Sequence, residues 1–124
     1  MKFDTGKVVQ DIIAALKGEV GEGWAAISGF SQHQAKMLAN QAAMITQARI
    51  SGSLKDDDEM FEFFTDQLKR MTINFARSVA TLTLLTIEQA WNAIVKIVWG
   101  AINGALASVR IAGIPLPTLE IPEG

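Results

Sequence analysis

Apolar residues recur along most of this chain at the three- and four-residue spacing that puts them on one side of an α-helix. The first such run is Val8, Val9, Ile12, Ile13 and Leu16, with Asp4 or Thr5 placed to cap it and Gly18 placed to end it, which predicts a short amphipathic helix. Gly18, Gly21, Gly23 and Gly29 then crowd together. Since a glycine inside a helix costs roughly 1 kcal/mol relative to alanine, a loop or frayed helix is expected over that stretch. From Ser31 the chain is free of glycine and proline until Gly52 and rich in helix formers, predicting a second helix with Met37, Leu38, Met44 and Ile45 on its apolar side.

The third pattern is the longest. Between Lys55 and Val109 there is no proline, and no glycine before Gly100, so the simplest expectation is one helix of roughly fifty residues, about 80 Å long at 1.5 Å per residue. Its start is marked by Ser53 and by Asp56, Asp57, Asp58 and Glu59, which supply a cap and suit the positive end of the helix dipole. The β-branched segment VATLTLLTI competes as a strand, but the adjacent Leu84 and Leu85 break the alternation a strand needs. On a helical wheel Glu59, Asp66, Arg70, Asn74, Arg77, Glu88, Asn92, Lys96 and Arg110 gather into one polar stripe and leave a much wider apolar arc.

In an antiparallel hairpin a helix over residues 31–51 can cover only the N-terminal half of such a rod, near Met60 to Val79. Residues 5–27, a short helix broken by glycines, would fold back along the C-terminal half as poor cover for so wide an arc. The C-terminal half is therefore expected to bury itself against other copies of the chain, through Leu82, Trp91, Ala93, Ile94, Ile97, Val98, Gly100, Gly104 and Leu106. Gly100 and Gly104 form a GxxxG pair, which permits close backbone approach, so replacing Gly104 with leucine is expected to disturb assembly more than folding. After Gly113 the character changes: Pro115, Pro117 and Pro122 impose extended backbone with Ile114, Leu116, Leu119 and Ile121 projecting from it. This arm is expected to dock on a neighbour. The fold class read from the pattern is all-α, a helical hairpin or small bundle of two or three helices dominated by one long C-terminal helix. Residues 1–112 form a single helical domain and 113–124 an extended proline-rich arm.

Composition narrows the function classes. The chain has 124 residues, which fit one domain, with 49% hydrophobic residues and a net charge of −2. That charge gives no general attraction for nucleic acid or anionic lipid. There is no cysteine, hence no disulfide, thiolate metal site or thiol nucleophile. Glu88, Lys96 and Arg110 interrupt the apolar C-terminal region, which disfavours a membrane span. A lipid surface is the alternative partner, because Trp91 and Trp99 lie on a broad apolar face, but the polar stripe mixes Asp66 and Glu88 with its cations. The N-terminal residues lack the apolar centre of a signal peptide, which points to the cytoplasm.

Catalytic constellations are not apparent. His33 is the only histidine and sits among glutamines, and no Glu-x-x-His pair suits a di-iron bundle. Asp56, Asp57 and Asp58 lack the alternating spacing of a calcium loop, and GEVGEGW carries acidic residues where a phosphate-binding loop needs none. No enzyme activity, cofactor, metal or small-molecule substrate is expected. In composition the Gln-, Ala- and Met-bearing helices resemble phasins and small phage accessory proteins, a resemblance that implies no site residue. The expected function is that of a self-assembling structural or scaffold component, of the sort a phage or prophage accessory protein provides, working as a homo-oligomer.

Overall fold

In a computed structural model that describes residues 3–119, the chain folds into four α-helices, α1 (Thr5–Val20), α2 (Trp24–Ser51), α3 (Asp58–Leu82) and α4 (Ile87–Ser108). No strand occurs among the described residues.

Helix α1 starts where the Asp4 carboxylate accepts the Lys7 amide at 3.1 Å, and it buries Val8, Ile12 and Leu16, four residues apart on one face. It runs through Gly18 and stops at Gly21, whose φ of 69° lies in the region glycine adopts without strain. The glycine-rich stretch is therefore no loop: a single 3-10 turn over Gly21–Gly23 reverses the chain, and α2 begins at Trp24, seven residues before the expected Ser31. Gly29 is absorbed into α2 because the tertiary contacts of its neighbours outweigh the local propensity.

Helix α2 ends at the expected Gly52, whose amide reaches the Ala48 carbonyl at 2.9 Å. A side chain there would meet the Ala48 backbone at 2.9 Å, so the close turn needs glycine. The acidic run does cap α3: the Asp57 carboxylate accepts the Met60 amide at 3.0 Å, with Asp58 and Glu59 in the first turn. Arg49 ties this corner together. It donates to the Leu54 carbonyl at 2.9 Å and to Asp58 at 2.7 Å, and its guanidinium lies 4.4 Å from the centre of the Phe61 ring.

The expected single C-terminal helix is instead two helices, broken at Thr83–Thr86 without help from glycine or proline. Threonine hydroxyls make the break. Thr83 Oγ1 donates to the Val79 carbonyl at 2.7 Å and accepts the Leu85 amide at 3.1 Å, drawing the backbone out of its helical ladder. Thr86 then starts α4 in a reciprocal cap: its hydroxyl accepts the Gln89 amide at 3.1 Å, and the Gln89 side chain accepts the Thr86 amide at 2.9 Å.

This break folds the apolar rod back on itself. Helix α4 packs against α3, α1 and, across the bundle, α2, while the backbones of α1 and α3 stand further apart. Asp4 and Lys7 lie near Gly104, and Glu19 lies near Gln89, so α1 and α4 run antiparallel. The result is an up-and-down bundle of four helices. Its core is one continuous cluster with Trp99, Phe75, Ile12, Leu16, Leu38, Leu68, Ile94, Ile102 and Leu106 at the centre. Two of its three buried polar side chains are satisfied within their own helices: Thr46 bonds to the Ala42 carbonyl at 2.7 Å and Thr72 to the Leu68 carbonyl at 2.9 Å.

Helix α4 closes with the Ile111 amide on the Leu106 carbonyl at 2.9 Å and the Arg110 amide on the Ala107 carbonyl at 3.1 Å. Arg110 is left-handed there, with φ of 61°, and Gly113, the residue expected to stop the helix, lies further on in the arm.

Candidate functional site

The sequence-derived interface is largely interior. Trp91, Ile94, Val98 and Leu106 are buried by other parts of the same chain, and Ala93 and Ile97 are partly buried against its core. The geometrical reason is the Thr83–Thr86 break, which lets α1, α2 and α3 all reach the second half of the supposed rod. Self-association is therefore not needed to cover α4. Gly100 and Gly104 do face outward, beside α1, and a methyl group added at either would touch nothing within 4 Å. Leu82 is exposed at the end of α3.

The arm docks on its own chain. The Asn103 side chain donates to the Ile114 carbonyl at 2.7 Å and accepts the Ile114 amide at 2.8 Å, pairing with one residue's backbone as a neighbouring strand would. From there the arm runs back along α4 toward its N-terminus: Ile114 to Thr118 face Glu62, Asp66 and Trp99, and Pro117 to Leu119 face Glu88, Trp91 and Asn92. Ile114 and Leu119 are partly buried against the core, and Leu116 is half-exposed. Ile121 lies outside the described residues.

What sequence reasoning missed is a different apolar face, along the groove between α2 and α3. Phe30, Met37 and Met44 stand seven residues apart on α2, with Met37 46% and Met44 67% exposed. Across the groove α3 presents Met60, Phe63, Phe64 and Met71, with Phe63 53% exposed. Two contacts fix the pairing of the helices. The Phe30 and Phe75 rings meet edge to face at 6.1 Å, and Met44 and Phe64 line one apolar recess of about 130 Å³ with Gln41, Ile45, Ala48 and Leu54. Phe63 packs edge to face on Phe64 at 5.5 Å. Leu82 lies five turns beyond Phe64 on the same side of α3 and extends this face to the far end. Met44 lines the recess, and helical phase puts Met37 on the same side of α2 as Met44, and Met60 and Met71 on the same side of α3 as Phe64.

Gln34 and Gln41 on α2 and Gln67 on α3 are interleaved with this face, and Glu59, Asp66 and Arg70 flank Phe63 at its α3 edge. No group of three or more acidic, histidine or cysteine side chains among the described residues is placed to hold a metal ion. No described helix is long and apolar enough to cross a membrane. Fold and surface together define a small helical bundle with a methionine- and phenylalanine-lined groove on one side and a proline-bearing strap on another. No family model, curated protein or solved structure matches the chain.

Proposed function

We propose that this chain is a non-enzymatic, self-assembling structural component that pairs with a second copy of itself through the α2/α3 face. The observation that carries this reading is the band Phe30, Met37, Met44, Met60, Phe63 and Leu82, each between 36% and 67% exposed on one side of a molecule whose core is otherwise closed. At about 200 Å² for each large side chain, the exposed fractions amount to roughly 600 Å² of apolar surface. That is near the upper end for the largest patch on a monomer, and mating it with an identical patch reaches the ~1,000 Å² that a specific interface needs.

The chemistry of the band suits a two-fold pairing. Gln34, Gln41 and Gln67 carry both donors and acceptors and so can pair with their own copies across a symmetry axis, and at the α3 edge Asp66 is already paired with Arg70 at 3.1 Å. Methionine adapts its shape to an opposing surface, and the recess beside Met44 has room for one anchoring side chain.

The test is the mass of the purified chain by light scattering across micromolar concentrations. A dimer or larger assembly is expected, and Met44→Lys with Phe63→Asp should return it to a monomer of unchanged helical content, because both side chains are exposed. A wild-type monomer at every concentration overturns the proposal. So does a monomer that floats with neutral or anionic vesicles, since the face then serves lipid.

A further inference from the structure

The closure of α4 is unfavourable at one residue. Arg110 takes the left-handed position of a helix-ending motif that ordinarily belongs to glycine, and a side chain there crowds its own backbone. The strain buys a sharp reversal, which throws the arm back along α4 to Asn103. An alternative that removes the strain is open to the sequence. Residues 109–112 are Val, Arg, Ile and Ala, all compatible with a helix, and the first residue that opposes continuation is Gly113. If α4 runs on through Ala112, Arg110 relaxes and the arm points away from its own bundle.

The arm's seat accepts any extended chain of matching shape. Asn103 reads backbone alone, through the amide and carbonyl of Ile114, Ile114 and Leu119 pack against the core, and Glu62, Asp66 and Glu88 border the arm without a hydrogen bond to its described residues. Gly113 fits because a Cβ there would lie 2.8 Å from Asn103 Oδ1. The segment that meets these requirements by construction is the same arm from another molecule. Short strained hinges are what drive such exchange.

We infer that the arm is an exchangeable strap: α4 straightens through Arg110 in two molecules, and each arm takes the Asn103 seat of the other. The exchange uses the α4 side of the bundle and is independent of the α2/α3 face, so it stands or falls separately from the assembly proposed above.

The chain has no cysteine, which allows an unambiguous crosslinking test. Asn92 and Thr118 border the same recess, one on α4 and one on the arm. In the Asn92→Cys, Thr118→Cys double variant, carrying Met44→Lys and Phe63→Asp to silence the other face, a short bis-maleimide is added after equilibration at high concentration. Exchange predicts a covalent dimer on a reducing gel whose share rises with protein concentration during equilibration. Adding Arg110→Gly should lower the equilibrium constant of the exchanged dimer about a hundredfold, equivalent to ~2.8 kcal/mol for its two chains, because glycine removes the strain of the closed form. Adding Gly113→Ala, which puts a methyl group 2.8 Å from Asn103 Oδ1 and displaces that side chain from the Ile114 backbone, should lower the interchain product. Crosslinks confined to single chains, absence of any interchain product, or an interchain product indifferent to Arg110→Gly and Gly113→Ala overturns the inference.

Discussion

Thr86 and Gln89 each satisfy the other's backbone amide, that of Gln89 at 3.1 Å and that of Thr86 at 2.9 Å, and this exchange of hydrogen bonds starts the second helix beyond the break that the Thr83 hydroxyl makes. Removing the Thr86 hydroxyl leaves the Gln89 amide without its partner and weakens the case for starting a helix there. Thr86→Ala should destabilise the fold by about 1 kcal/mol in urea denaturation, while Thr86→Ser, which keeps the oxygen, should cost much less. A loss below ~0.3 kcal/mol for the alanine variant would mean that packing of α4 alone sets the break.

That pair also shows how much of the architecture is legible in the residues. Helix identity follows from the spacing of apolar positions, and the ends at Asp4, Gly52 and Asp57 follow from caps that a short window reveals. The break at Thr83–Thr86 is written there too, as T-x-x-Q, but it has no glycine or proline to announce it, and an unbroken helical phase through Leu82 and Ile87 conceals it. Once the break is missed, the error propagates: an unbroken rod must find its cover in other molecules, whereas a hairpin covers itself. Met37 and Met44 were hidden for a related reason. Each is next in sequence to a core residue, Leu38 and Ile45, and lies only about 100° from it around the helix, so the pattern alone does not say which of the two turns inward. The position of α3 decides it, and that is a tertiary fact.

At the α2/α3 corner Arg49 serves three groups at once, and they should differ in weight. Asp58 is mostly exposed, with its side chain 86% accessible, so the ion pair is screened and Asp58→Asn should cost under ~0.5 kcal/mol. The bond to the Leu54 carbonyl and the contact with the Phe61 ring are partly sheltered, and Leu54 itself is buried. Arg49→Met, which keeps the apolar stem, should therefore cost about 1–2 kcal/mol. Equilibrium unfolding of both variants compares them directly. Equal losses would show that the charge pair, rather than the carbonyl and the ring, holds the corner.

Ser31 presents the opposite situation. Its hydroxyl is fully buried in α2 and has no hydrogen-bond partner in the protein, unlike those of Thr46 and Thr72. An unpaired buried hydroxyl costs ~1–3 kcal/mol, while removing one oxygen leaves only a small void, so Ser31→Ala should raise stability by up to about 1 kcal/mol. A destabilised alanine variant would indicate that the hydroxyl bonds to an internal water.

Gly100 and Gly104 separate the two ideas of how this chain assembles. Both lie within α4, on its outer side, where a methyl group meets nothing, so neither is required by the packing of a single chain. Replacing a glycine in an exposed helix by alanine gains roughly 0.5–1 kcal/mol through helix propensity. The double variant Gly100→Ala, Gly104→Ala should accordingly melt several degrees higher, with ~1–2 kcal/mol of added stability spread over a domain of this size. Its mass in solution should equal that of the unaltered chain, because the α2/α3 face is untouched. Should the melting temperature rise while the assembly falls apart, the glycines are holding two helices of different molecules together, and the interface belongs to α4 after all.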